Sequence, residues 1–175
     1  MHKPILVRLE PDIERQPFNC GHDDLNEFFH KDSIAHSKHL LAVTYAYIMD
    51  GKTIAYYSVL NDNIRKEKAE KGEWKRAVKN IPHGKRGYDT QPAVKVGRFA
   101  VAEEYQKSGI GSSLMDYIKG HFTDKNKTGC RFITVDAYKT SVGFYLKNGF
   151  EFFTTRDKDE ESRVMWFDLM RFIRE

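Results

Sequence analysis

A glycine-bearing loop ahead of an apolar helical pattern is the stretch best suited to bind a ligand. The loop runs from Gln106 to Gly111 and reads QKSGIG, and an apolar stripe at Leu114, Met115 and Ile118 follows at helical spacing. Glycines let a backbone approach a ligand closely, and a helix start offers N–H groups without partners and the positive end of a dipole. The stretch therefore predicts a phosphate-binding loop, although a strand, a glycine turn and a helix alone occur in many α/β proteins.

The strand before this loop is predicted to bend in its middle. Val94 and Val96 are apolar on one parity and Phe99 and Val101 on the other, with a glycine and an arginine between them. A strand that keeps one face in the core across such a change needs one extra residue, and a glycine is where such a bulge is placed. We therefore expect a bulged strand that buries Phe99 and Val101.

A second informative stretch lies nearer the carboxyl end. Residues Phe132 to Ala137 have a short strand pattern, and the sequence FYLKNGF follows from Phe144 to Phe150. The latter reads as a short helix, from about Ser141 to Asn148, that a glycine ends. A strand and a short helix therefore follow the predicted phosphate loop.

Together these stretches resemble the GNAT acetyltransferase superfamily. Its pyrophosphate loop has the form Gln/Arg-x-x-Gly-x-Gly/Ala, and its later element pairs an aromatic residue and tyrosine with Gly-Phe. Both are present here, and the order of elements fits over most of the chain. The resemblance implies an α/β (α+β) fold, in which a mixed, mostly antiparallel central sheet has a bulged, splayed central strand and helices on both faces. The motif positions of the later element are Phe144, Tyr145, Gly149 and Phe150.

The resemblance also implies acetyl-CoA as the cofactor, with its pyrophosphate on the loop and its pantetheine arm along the main chain of the bent strand. Tyr145 is then the candidate catalytic residue, a general acid that protonates the leaving thiolate. The other interpretation of Tyr145 is a core tyrosine packed between aromatic neighbours. The predicted cofactor-binding residues are Phe99, Ala100, Val101, Gln106, Lys107, Ser108, Gly109, Ile110, Gly111 and Ser112.

The general base is not apparent from the sequence. Many relatives carry a glutamate on the bent strand, whereas residues 93–102 contain no carboxylate. A lysine amine with a pKa of about 10.4 is protonated at neutral pH, while an α-amine near pKa ~8 needs little help. The missing carboxylate therefore favours a low-pKa amine or a water relay, and Glu103, Asp136 and His83 stay open as bases. Tyr138 stands where many relatives have an asparagine that contacts the cofactor.

The N-terminal region resembles one branch of this superfamily in particular. The sequences FNCG from Phe18 to Gly21 and DLNEFF from Asp24 to Phe29 resemble the signature of a branch that includes toxins acetylating aminoacyl-tRNA. We expect a helix from about Asp23 that buries Leu25, Phe28, Phe29 and Ile34. The resemblance implies tRNA and an antitoxin as partners, and a homodimer, since the family is often dimeric.

Length and composition limit the remaining function classes. The chain has 175 residues, of which 40% are hydrophobic, so we expect one acetyltransferase domain spanning residues 1–175. No apolar run approaches the ~20 residues that span a bilayer, and the first residues do not form a secretory signal. Cys20 and Cys130 have neither a metal-site spacing nor a disulfide framework. We predict a cytoplasmic enzyme with no metal and no membrane partner.

A charged segment at about residues 61–92 interrupts the family pattern. Between Ile64 and Arg86 nine basic residues face three glutamates, a net charge of +6. We expect helical character from about Ile64 to Lys79, with Trp74, Ala77 and Val78 docking one side. The segment has too few apolar residues for a domain of its own. It is either a lid or substrate-contact insertion that attracts anions, or simply a solvated helix face.

These observations favour an acetyl-CoA-dependent N-acetyltransferase that acts by direct attack of a primary amine. The α-amine of aminoacyl-tRNA is one acceptor that fits. The alternatives are acetylation of a small amine or a protein terminus, or a non-catalytic module that binds an acyl-CoA or nucleic acid.

Overall fold

The computed structural model describes residues 3–82, 84 and 87–174, and its strands form a seven-stranded sheet in the order β1-β2-β3-β4-β5-β7-β6. The pairs β1–β2, β2–β3, β5–β7 and β6–β7 are antiparallel, and β4–β5 is parallel. The mixed, mostly antiparallel sheet is thereby confirmed. The strands are β1 (Ile5–Arg8), β2 (Val43–Met49), β3 (Lys52–Arg65), β4 (Thr90–Val101), β5 (Phe132–Tyr138), β6 (Glu151–Phe152) and β7 (Ser162–Asp168).

The helical elements lie between these strands, except for the last helix, which follows β7. Two of them, α1 and α2, are continuous through a π-helical turn at Phe28–Asp32, and short 3₁₀ turns precede α3, the loop before α4, and α5. The predicted helices at the phosphate loop and around Tyr145 are both confirmed. The helices are α1 (Asp23–Glu27), α2 (Ser33–Lys38), α3 (Lys71–Val78), α4 (Ile110–Thr123), α5 (Val142–Lys147) and α6 (Leu169–Arg174).

The chain divides into two compact units, residues 1–60 with 96–115 and residues 61–95 with 116–175. In the first unit, Phe28 and Phe29 are buried as predicted, and the Phe29 and Tyr56 rings lie 4.9 Å apart. Leu25 is partly buried against the same core, and Ile34 is also only partly buried. This aromatic cluster fixes the α1–α2 segment on the strands of its own unit.

The second unit has helices on both faces of its strands. Trp166 packs in a cluster with Trp74 of α3, while the next residue of β7, Phe167, points to the other side. There the Phe167 ring contacts Phe150 at 5.6 Å between centroids, and Nζ of Lys119 on α4 lies 4.6 Å from it. The predicted two-sided arrangement of helices is therefore observed within this unit.

The charged segment differs from its predicted helix. Its helix α3 is shorter than the expected span, because β3 continues to Arg65 and carries Ile64, which is buried among Trp74 and Phe153. The three predicted docking residues of α3 are buried, as expected. Of the residues named in this segment, His83, Lys85 and Arg86 lie outside the described residues.

The burial along β4 also differs from the expected pattern. Ala100 is buried, whereas Phe99 and Val101 are only half-buried, so the prediction that these two carry the buried side is wrong. The physical reason lies in the core of the first unit, which aromatic rings such as Phe28 and Tyr56 already fill. A small alanine fits beside these rings, where a phenylalanine would overpack the core.

Candidate active site

The predicted phosphate loop follows directly on a 3₁₀ turn, Glu103–Tyr105, at the end of β4. Lys107 and Gly109 adopt left-handed backbone conformations, with φ of 62° and 92°, and the Ser108 hydroxyl donates a hydrogen bond to the Tyr105 carbonyl. Residues with left-handed φ next to a helix entrance form the kind of backbone concavity that binds anions. The loop therefore has the backbone shape that the sequence predicted.

Helix α4 begins immediately after the loop. Its first turn closes with the Ser113 N–H donating to the Gly109 carbonyl at 3.1 Å, so the N–H groups of Ile110 and Gly111 have no acceptor within the helix. The first turn carries no acidic residue that would compete for those groups. Since Lys107, Ser108 and Gly109 are exposed, an anion can reach this helix entrance from solvent.

The Gln106 side chain is engaged with the protein itself. Its Nε2 donates to the Val101 carbonyl at 3.0 Å and to the Cys20 carbonyl at 2.9 Å. The sequence predicted Gln106 as a cofactor-binding residue, and only its position in the loop suggested that role. The structure adds a tertiary function for the carboxamide that no local pattern signals.

The residues just before α1 approach the same turn closely. The Glu103 N–H donates to the Asn19 carbonyl at 3.0 Å, and Gly21 has a left-handed φ of 77°. A Cβ atom added to Gly21 would lie 2.9 Å from Oε1 of Glu103. The left-handed conformation therefore favours glycine at this position, and a side chain there would also displace the Glu103 carboxylate, which accepts a hydrogen bond from Asn19.

We expect Gly21→Ala to lower the free energy of unfolding by about 2 kcal/mol, since it combines left-handed strain with displacement of the Glu103 carboxylate from Asn19. Gly51→Ala is the matched control, because Gly51 has a φ of 75° but open space around it. The control variant should lose only about 1 kcal/mol. Urea unfolding measures both values, and equal losses would mean that displacing the Glu103 carboxylate costs nothing.

The strand residues Phe99, Ala100 and Val101 lie at the end of β4, as predicted. The Val101 carbonyl accepts the Gln106 hydrogen bond, and the Ala102 N–H donates to the Ile54 carbonyl at 2.9 Å. A carbonyl has a second lone pair, so the bond at Val101 still leaves acceptor capacity for a ligand. The pairing of these residues with a pantetheine arm stays a prediction.

Tyr145 lies on α5 and is 7% exposed. Its ring packs against Phe144 and Phe150, with centroid distances of 5.2 and 5.4 Å. These contacts are those of the core-packing interpretation, and they also fix the direction of the ring. Burial raises the pKa of the Tyr145 phenol above its ordinary value of about 10, so the group holds its proton at neutral pH.

The end of α5 is held firmly in place. Nδ2 of Asn148 donates to the Phe144 carbonyl at 2.8 Å, and Nζ of Lys119 donates to the Asn148 carbonyl at 3.0 Å. Gly149 has a φ of 80°, and a Cβ there would lie 3.2 Å from the Phe167 ring. The left-handed conformation of Gly149 ends the helix that carries Tyr145. A side chain at this position would be both strained and crowded, which explains the glycine.

The candidate bases differ in what the structure says of them. Glu103 accepts a hydrogen bond from Nδ2 of Asn19 at 3.3 Å, and Asp136 forms an ion pair with Lys95. Each of these carboxylates therefore has a protein partner. His83 lies outside the described residues.

Neither a metal-binding cluster nor a membrane-spanning helix is present in the described part of the chain, residues 3–82, 84 and 87–174. No group of three or more His, Cys, Asp and Glu side chains there is arranged to hold a metal ion. Cys20 and Cys130 are buried free thiols. Within the same residues, no helix has the length and apolar character needed to cross a membrane.

Comparison with known proteins identifies the family. The model of the GNAT acetyltransferase domain matches residues 60–170. No curated protein matches the chain at significant similarity. Many solved structures share the fold, and three of them illustrate the likeness.

AtaT complexed with acetyl-methionyl-tRNAfMet is 18% identical over 98% of each chain, with a TM-score of 0.79. A Tyr-to-Phe variant of KacT is 18% identical over 99% of each chain, also with a TM-score of 0.79. AtaTR bound with AcCoA is 20% identical over 99% of this chain and 98% of its own, with a TM-score of 0.76. Since the family model covers well over half of the sequence and the fold agrees, the chain belongs to the GNAT acetyltransferases and is an acyltransferase.

Proposed function

We propose that this acyltransferase uses acetyl-CoA to acetylate the α-amine of aminoacyl-tRNA. The observation that carries the cofactor assignment is the left-handed loop at the entrance of α4, with N–H groups on Ile110 and Gly111 that no helical acceptor uses. AtaTR is a structural neighbour bound with AcCoA, which supports the same co-substrate here.

In this proposal the pyrophosphate lies on the backbone of the loop and the first turn of α4. The predicted binding residues from Gln106 to Ser112 contribute mainly main-chain N–H groups, and the exposed Lys107 adds a positive charge. The pantetheine arm pairs with the main chain of Phe99, Ala100 and Val101, like an added strand. Affinity then depends on backbone shape more than on side-chain identity.

The chemical step is direct transfer without a covalent enzyme intermediate. The amine nitrogen attacks the thioester carbonyl, a C–N bond forms, and the C–S bond breaks. Tyr145 gives its phenolic proton to the leaving thiolate and is then reprotonated from solvent. The amine releases its extra proton to water, since residues 93–102 supply no carboxylate and the Glu103 and Asp136 carboxylates each have a protein partner.

The acceptor assignment rests on the amine's pKa and on a basic surface. An α-amine is partly neutral near pH 7, whereas a lysine amine is almost fully protonated, so only the former dispenses with a strong base. In the charged segment, Lys68, Lys71 and Lys75 are exposed and have no ion-pair partner among the described residues. Free cations of this kind attract a phosphate backbone. The neighbour AtaT was solved with acetyl-methionyl-tRNAfMet.

Transfer of label from acetyl-CoA tests the proposal. The protein is incubated with labelled acetyl-CoA and bulk charged tRNA, and separately with deacylated tRNA, small amines and a peptide carrying a free terminus. We expect label only in the charged tRNA, released when the aminoacyl ester is hydrolysed. Label on a small amine or the peptide instead would overturn the tRNA assignment, and binding of acetyl-CoA without any transfer would indicate a non-catalytic module.

We also propose an antitoxin as protein partner, since the neighbour AtaT was solved with the C-terminus of the antitoxin AtaR. A reading frame for such a partner beside this one is the simplest check. A homodimer stays a prediction, and light scattering of the purified protein measures it directly.

A further inference from the structure

The segment that precedes α1 is bonded to the loop that precedes α4. The Asn19 carbonyl accepts a hydrogen bond from the Glu103 N–H at 3.0 Å, and the Cys20 carbonyl accepts one from Gln106 Nε2 at 2.9 Å. Glu103 and Gln106 bracket the turn that leads into the loop. The N-terminal sequence motif and the phosphate-loop motif therefore form one hydrogen-bonded structure within the first unit.

The Gln106 carboxamide joins three pieces of chain. A carboxamide nitrogen carries two hydrogens, and here they go to the carbonyls of Cys20 and Val101. Because both hydrogens are used within the protein, the side chain has none left to donate to a phosphate oxygen. The hydrogen bonds from Gln106 to the Cys20 and Val101 carbonyls therefore explain why glutamine occupies this position of the motif.

Two asparagines fix the other side of the same segment. Oδ1 of Asn26 accepts the Cys20 N–H at 2.9 Å, and Nδ2 of Asn26 donates to Oδ1 of Asn19 at 2.8 Å. That oxygen also accepts the Gly21 N–H at 2.9 Å. The carbonyl to which Gln106 donates thus belongs to a turn whose hydrogen bonds are largely made by side chains of α1 and of the turn itself.

We infer that Asn26 and Gln106 are positioning residues that hold the coenzyme A loop in its binding conformation, an inference that rests on the function proposed for this loop. The network of Asn19, Asn26 and Gln106 is called the brace below. A loop held in its bound shape loses less conformational freedom on binding, so its affinity is higher. The brace gives the N-terminal motif a role in cofactor binding although it lies outside the loop.

A direct contact between Gln106 and the pyrophosphate is the competing explanation, and Asn26 separates the two. Asn26 reaches the loop through other residues, by way of Cys20 to Gln106 and by way of Asn19 to Glu103. A direct ligand role for Gln106 alone therefore predicts no effect of Asn26→Ala on coenzyme A affinity. The brace predicts that Asn26→Ala and Gln106→Ala each raise the Kd for coenzyme A by about five- to tenfold, the equivalent of one lost hydrogen bond. Acting on one network, they should be less than additive when combined.

Two further variants of Gln106 test which property of the side chain matters. Gln106→Met has a similar length and no charge but cannot donate, so it should raise the Kd as Gln106→Ala does. Gln106→Arg retains donors for both carbonyls and adds a positive charge, so its affinity should be at least that of the wild type. In steady-state assays the loss should appear in KM for acetyl-CoA, with kcat at saturation little changed.

Calorimetric titration of coenzyme A into the whole protein and these variants distinguishes the brace from a direct contact between Gln106 and the pyrophosphate. Asn126→Ala is the control for stability, because Asn126 has a left-handed φ of 38° but belongs to the second unit and takes no part in the brace. It should lower the melting temperature without changing the Kd.

If the wild type binds and Asn26→Ala binds equally well, or if the effects of the double variant are additive, the brace is overturned and the proposed function stands. If the wild type itself gives no heat, both are overturned.

Discussion

Replacing Tyr145 with phenylalanine is expected to lower kcat by about 10²- to 10⁴-fold, the range that a general acid contributes, while the affinity for acetyl-CoA stays close to that of the wild type. The substitution removes one hydroxyl group. The ring contacts with Phe144 and Phe150 are apolar and are retained by phenylalanine. A large loss of turnover with an unchanged fold would therefore be a loss of chemistry.

The protonation state of Tyr145 leads to a second prediction, which concerns the pH dependence of kcat. Because burial raises the pKa of its phenol, the folded protein keeps this group protonated through the alkaline range in which an ordinary tyrosine begins to ionise. We therefore expect that kcat does not fall between pH 8 and about 10 through loss of this proton. A decline in kcat centred well below pH 10 would have to come from another group.

Single-turnover rates and calorimetric Kd values for acetyl-CoA measure the two effects separately. Tyr117→Phe is the matched control, since Tyr117 is 48% exposed on α4 and has no role in the proposed step. It should leave both quantities unchanged. If Tyr145→Phe transferred the acetyl group as fast as the wild type, Tyr145 would be a packing residue only.

The local structures that the sequence predicted correctly are those determined by neighbouring residues. The loop from Gln106 to Gly111 and the short helix around Tyr145 depend on glycines, helix starts and helix ends that lie within a few residues of one another. Such features are determined by nearby residues, so the sequence displays them directly.

The parts that sequence missed depend on residues far apart in the chain. Asn26 and Gln106 meet through Cys20, and the small Ala100 is buried because Phe28 and Tyr56 fill that part of the core. The alternation of apolar residues along β4 does not indicate which aromatic rings from other parts of the chain pack against the strand. Long-range hydrogen bonds therefore determine the first of these features, and long-range packing determines the second.

The error in the charged segment has a related cause. Its many lysines and glutamates suit a helix by propensity, and this pattern concealed the continuation of β3 through Ile64. In the structure Ile64 is 1% exposed in a cluster with Trp74 and Phe153, so packing overrode local preference.

A charge placed at Gly109 is expected to have the largest effect on cofactor binding. Gly109 has a φ of 92°, and a Cβ there would meet no atom within 4 Å, so a side chain fits but the backbone is strained. Asparagine and aspartate tolerate left-handed conformations better than other residues and are nearly identical in shape. The pair Gly109→Asn and Gly109→Asp therefore separates strain, which both share, from charge, which only aspartate adds.

If the pyrophosphate lies on this loop, a carboxylate about 5 Å from one phosphate charge costs about 3 kcal/mol at an effective dielectric constant of about 20. Gly109→Asp should then raise the Kd for coenzyme A about 100-fold relative to Gly109→Asn. The gap between the two variants should narrow as salt is raised toward about 1 M, because the Debye length falls to ~3 Å. Calorimetric titrations at low and high salt measure the ratio of the two Kd values. Equal Kd values for the two variants at low salt would mean that no phosphate binds at the entrance of α4, since no anion beside Gly109 could fail to sense the added charge.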